Sequence, residues 1–74
     1  MKRCSLASLG PRQRAIVSGI EASPARIEKL AALGILPGVE VQLQQKRPAV
    51  VVECGETVLA LEAELASAII VIPL

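Results

Sequence analysis

The sequence predicts a mainly β domain: a small, partly open barrel of about five strands with one α-helix inserted after the first strand. Three observations carry this expectation. Short apolar stretches are separated by tight turn signals. Only one stretch has helical periodicity with both of its ends marked. And 74 residues are too few for a β-sandwich. The chain reads as a single domain over residues 1–74, without repeats or low-complexity segments. A domain of this size buries only about 60–65% of its unfolded surface, so the 53% apolar content, almost entirely Val, Ile, Leu and Ala, has to be used efficiently.

Taken in order, Ser5 to Pro11 is a lead-in, in which Leu6 and Leu9 can dock as a short turn that Gly10-Pro11 breaks. Arg14 to Ile20 is the first strand, with Ala15, Val17 and Gly19 on one face and Ile16, Ser18 and Ile20 on the other. Gly19 marks a bulge or bend. The helix follows, over Pro24 to Leu33. Ser23 can cap it, Pro24 suits its first position, and Ile27, Leu30 and Ala31 share a face. Gly34 is placed to end it in a left-handed conformation, with Leu30 and Ile35 as the apolar pair of a Schellman motif. Leu36-Pro37-Gly38-Val39 then reads as a type II turn.

Val39 to Lys46 alternates apolar and polar residues and is the clearest strand. Lys46-Arg47-Pro48 is a reversal, Ala49 to Glu53 a third strand, Cys54-Gly55 a tight hairpin turn with Gly55 at positive φ, and Thr57 to Leu61 a fourth strand. Glu62 to Ser67 has room for one helical turn, with 3-10 geometry as one option. Ala68 to Ile72 is the last strand. Both of its faces are apolar, which requires it to be central or covered. Placed at a barrel edge, it would invite pairing with another copy of the chain, a route to a homo-oligomer.

The residue inventory excludes several functions. There is no His and no Asp, so His-based triads and dyads cannot form. There is no phosphate-cradling GxxxxGK[ST] loop, and the Gly34-to-Gly38 run follows a helix instead of a strand, which is the wrong setting for dinucleotide binding. The expectation is a non-enzymatic binding or regulatory protein without a cofactor. Cys4 and Cys54 belong to no CxxC pair. With Glu56 they are the one combination that could approach a metal, and they fall short of a standard zinc ligand set. The absence of aromatic residues argues against single-stranded nucleic acid and proline-rich peptides as ligands. A net charge of +1 argues against nucleic acid generally. The longest apolar run, Ala68 to Leu74, cannot span a membrane, and the N-terminus lacks a signal-peptide apolar run, so a cytoplasmic location with reduced thiols is expected. The basic residues are uneven: Lys2, Arg3, Arg12 and Arg14 crowd the start of the chain and Lys46-Arg47 sits at a turn, which reads as a solvated rim or as a small basic face for an acidic partner surface.

The run SPARIEKLAALGILPGVEV, followed by three short strands and a terminal AIIVIPL, resembles the FeoA family of small accessory proteins of bacterial ferrous-iron uptake. Leu33-Gly34-Ile35-Leu36-Pro37-Gly38 is its most telling part. The resemblance implies an SH3-like barrel and a regulatory role exerted on FeoB, the large membrane iron permease with a cytosolic GTPase domain. The same turn occurs in SH3-like C-terminal domains of metal-dependent repressors, which implies as the alternative a module that binds a peptide or senses a transition metal. The chain departs from many relatives in having only Gln45-Lys46-Arg47-Pro48 where they carry a longer loop. A turn locked in this way can present an apolar tip, so the expected partner contact is Ile35, Leu36 and Pro37 with Lys46 and Arg47. Ser23, Gly34, Pro37, Gly38 and Gly55 are expected to hold turn geometry.

Overall fold

The computed structural model describes residues 2–74. Six antiparallel strands form one open sheet: β1 (Cys4–Ser5), β2 (Arg14–Ile20), β3 (Glu40–Gln45), β4 (Val50–Cys54), β5 (Thr57–Leu61) and β6 (Ile69–Pro73). Their spatial order is β1-β6-β2-β3-β4-β5. Two helices, α1 (Pro24–Ala32) and α2 (Ala63–Ala68), and a 3-10 turn over Leu6–Ser8 complete the domain. Period-two alternation fixes which side of each strand faces inward. Ala15 and Val17, Val41 and Leu43, Val50 and Val52, and Ile69 and Val71 are buried together. Leu6, Leu9, Leu30 and Ile35 fill the same core from outside the sheet. Gly19 sits at a bulge, where the pairing of β2 with β6 shifts register between Val17 and Gly19.

The helix is built as its sequence dictates. The Arg26 N–H donates to the Ser23 hydroxyl at 3.3 Å, and Pro24 is the first helical residue. At the other end the Ile35 N–H donates to Leu30 O at 2.9 Å and the Gly34 N–H to Ala31 O at 3.0 Å. These are the two bonds of a Schellman motif. Gly34 has φ +99° and Gly38 φ +93°, conformations that L-residues rarely adopt. The Val39 N–H donates to Leu36 O at 3.1 Å and closes the type II turn. A Cβ at Gly34 would meet only Cys54 Sγ, at an ordinary 3.9 Å, so backbone strain alone decides the effect. Gly34→Ala should therefore lower stability by about 1 kcal/mol, measurable by urea denaturation. An unchanged midpoint would remove the Schellman account.

Four expectations need correction. The sheet has six strands, because Cys4–Ser5 pairs with β6 through Cys4↔Val71 and Ser5↔Ile70. Two residues are too few to show a period, so the helix follows the second strand. The segment before β6 is a turn of α-helix, with the Ala66 N–H donating to Glu62 O at 2.9 Å, and it takes in Ala68. Its three alanines favour the helix. Residues 69–73 are not at an edge: β6 lies between β1 and β2, which removes the basis for homo-oligomer pairing through Ala68 to Ile72. The β4–β5 hairpin turns on Gly55-Glu56, since Cys54↔Thr57 is the closing pair, with Gly55 at φ +62°.

Candidate interaction surface

The segment after α1 is held from several sides. The Gly38 N–H donates to Val17 O at 2.7 Å and the Val17 N–H to Val39 O at 2.9 Å, which ties the turn to the middle of β2. The Cys54 thiol, at the end of β4, donates to Gly34 O at 3.2 Å. On this fixed frame Leu36 is 44% exposed and Leu33 is 40% exposed. Pro37 is exposed beside them. The frame thus holds two large aliphatic side chains in water without any bond of their own that explains their exposure.

Ile35 does not belong to that surface. It is 0% exposed and forms part of the core. The C″ position of a Schellman motif packs back onto the helix it terminates, so the residue that seals α1 cannot also greet a partner. Lys46 and Arg47 are exposed, but they follow the far end of β3 from Leu36. Six strand residues at ~3.3 Å each put roughly 20 Å between the two places. The five residues therefore divide into a buried Ile35, an apolar tip at Leu36 and Pro37, and a basic turn elsewhere.

Leu33 was not among the expected contacts. It lies just off the stripe of Ile27, Leu30 and Ala31, and its place at the C-cap leaves it on the rim of the helix. It also lines a groove of about 290 Å³ between α1 and the junction of β5 with α2. Arg26, Lys29, Leu30 and Leu33 line it from α1, and Leu61, Glu62 and Leu65 from the junction of β5 with α2. At one end Arg26 approaches Glu64 at 3.9 Å, an exposed ion pair that contributes at most about 1 kcal/mol.

Reactive chemistry is sparse. Both cysteines are free thiols. Burial pushes the Cys54 thiol above its ordinary value, so it stays protonated at neutral pH and is a poor nucleophile and a poor metal ligand. Cys4 is on β1, separated in the sheet from the strand of Cys54 by β6, β2 and β3. Among the described residues no three His, Cys, Asp or Glu side chains gather to hold a metal ion. No helix among them is long and apolar enough to cross a membrane.

The FeoA domain profile matches residues 4–73. No curated protein matches the sequence at a significant level. The solution structure of the FeoA protein from Chlorobium tepidum is 27% identical, with a TM-score of 0.89 over 95% of this chain and 70% of that one. The FeoA of Stenotrophomonas maltophilia, an SH3 domain protein solved as a zinc complex, is also 27% identical, with a TM-score of 0.79 over 92% of this chain and 88% of that one. A manganese-dependent transcriptional repressor shares the fold, with a TM-score of 0.88 at 21% identity over 97% of this chain and 42% of its own. The open six-stranded sheet is thus SH3-like.

Proposed function

The chain belongs to the FeoA domain family, accessory domains of ferrous-iron transport, and on that premise we propose that it acts by protein–protein contact on the cytosolic GTPase-bearing part of a FeoB-type permease. It does so as a non-catalytic regulatory subunit, working where that permease meets the cytoplasm. The observation that carries this reading is the exposed pair Leu33 and Leu36 on a backbone fixed by the Schellman motif, the type II turn and the bonds to Val17. Isolated exposed aliphatics need no explanation. Two of them on one locked segment, beside a groove that Leu33 lines with Leu30, Leu61 and Leu65, make a small apolar patch of the kind that marks a contact surface. A fixed tip also loses little conformational freedom on binding.

The test is binding of the full chain to the cytosolic part of the permease, by calorimetry. Wild type is expected to bind, and Leu36→Asp to weaken binding at least about ten-fold by placing a charge in the apolar contact. Leu36 is exposed, so the variant should keep the wild-type unfolding midpoint. Undiminished binding by Leu36→Asp would sink the site, and no wild-type binding at tens of micromolar would sink the choice of partner.

A further inference from the structure

The sheet topology gathers most of the positive charge at one end. β2 and β3 are antiparallel, with Arg14 opposite Gln42, and the Arg12 N–H donates to Leu43 O at 2.7 Å. Lys46 and Arg47 continue past the last residue of β3, beyond Arg12. On the other side Ala15 pairs with Pro73, and the Leu74 N–H donates to Arg14 O at 3.0 Å. Cys4 pairs with Val71, so Arg3 and Lys2 run back along β6 toward the same end. Six of the eight basic residues therefore collect there, from three separate parts of the chain, and all six are exposed. The two others, Arg26 and Lys29, are on α1.

Only Arg14 is neutralised in place, by Glu40 at 3.3 Å. Among the described residues, Lys2, Arg3, Arg12, Lys46 and Arg47 make no ion pair. Glu62 follows β5 near this end but lines the groove with Arg26 and Lys29. Arg12 is also the one non-glycine residue at positive φ among those described, +66°. Its N–H is bound to Leu43 O, and its carbonyl accepts from Gln42 Nε2 at 2.9 Å. That left-handed conformation is sustained by bonds that fix the Arg12 backbone at this end.

We propose that this basic end rests on an anionic lipid surface. The groove at Arg14 is shared with Glu40 and Glu53, so it does not belong to the unpaired charges. Charged residues other than Arg are depleted at the middle of protein interfaces. A spread of unpaired, exposed Lys and Arg, with one aliphatic, Leu74, 65% exposed among them, suits instead a fluid layer of phosphate headgroups, which needs charge but no fixed shape. This inference is independent of what binds at Leu36.

The experiment is co-sedimentation of the full chain with vesicles of phosphatidylcholine alone or mixed with phosphatidylglycerol. Binding is expected only to the mixed vesicles. It should be lost when salt is raised from about 0.01 M to 1 M, as the Debye length falls from about 30 to 3 Å. The double substitution Lys46→Glu/Arg47→Glu should reduce binding at least about ten-fold. Lys2→Glu/Arg3→Glu should do the same from a separate part of the chain, while Lys29→Glu and Leu36→Asp should leave it unchanged. Unaltered circular dichroism confirms that the variants are folded. The proposal is overturned if the mixed vesicles are not bound, if Lys29→Glu weakens binding as much as the paired substitutions, or if millimolar inorganic phosphate displaces the protein. It is overturned equally if these substitutions abolish binding to a permease fragment while wild type ignores vesicles, which would make the patch a protein-docking surface.

Discussion

Ile35→Ala is expected to destabilise the protein by about 2–5 kcal/mol, whereas Leu36→Ala, one residue on, should stay within about 0.5 kcal/mol. Ile35 is fully buried and Leu36 is 44% exposed. Truncating Ile35 removes the apolar seal of the Schellman motif and leaves a cavity beneath the end of α1. The backbone bonds from Ile35 to Leu30 and from Gly38 to Val17 prevent that cavity from collapsing. A 74-residue domain has a stability of about 4–11 kcal/mol, so the loss would be a large part of the whole. Urea denaturation of the two variants beside wild type is the measurement. Equal midpoints for the two would mean that Ile35 is not the core residue its burial implies, and would return it to the candidate surface.

Leu6→Ala should cost a comparable 2–5 kcal/mol or so, although the residue stands in a three-residue 3-10 turn. Leu6 is completely buried, and its turn packs against α2 and β6. Its carbonyl accepts from the Leu9 N–H at 3.2 Å, which keeps both leucines pointing into the core. Losing the side chain removes the anchor that holds β1 against β6. The variant should therefore show faster hydrogen exchange at Ile70 and Val71 as well as a lower denaturation midpoint. A variant as stable as wild type would show that the lead-in is only draped over the core.

These two residues show what the sequence could and could not reveal. The strand from Arg14 to Ile20 was legible from its two faces, and that from Thr57 to Leu61 as the return arm of the hairpin at Gly55. The end of α1 was legible because cap and turn chemistry is local: Ser23, Gly34 and Gly38 each need only their immediate neighbours. The burial of Ile35 was legible in the same way, as the apolar seal of the Schellman motif, and grouping it with Leu36 and Pro37 as a partner contact set that signal aside. The pairing of Cys4–Ser5 depends on a strand more than sixty residues away. An interior position for β6 was legible as one of two options from its two apolar faces, but which strands flank it depends on the same closure. The separation of Lys46 and Arg47 from Leu36, and their convergence with Lys2, Arg3 and Arg12, follow from strand order, which local pattern does not encode.

The position of β6 also governs how the protein is made. The last strand in the chain is inserted between β1 and β2, near the beginning. On a ribosome, the inward faces of Ala15 and Val17 on β2 and the pairing edge of β1 wait for Ile69–Pro73 to emerge from the exit tunnel. Until then the nascent chain can form α1 and the β3–β4–β5 meander, whose contacts are local, but not the long-range closure that completes the core. The domain therefore commits to its fold only once Ile69–Pro73 is free to pair, and the interval before that is when its aliphatic core is open to chaperones and proteases.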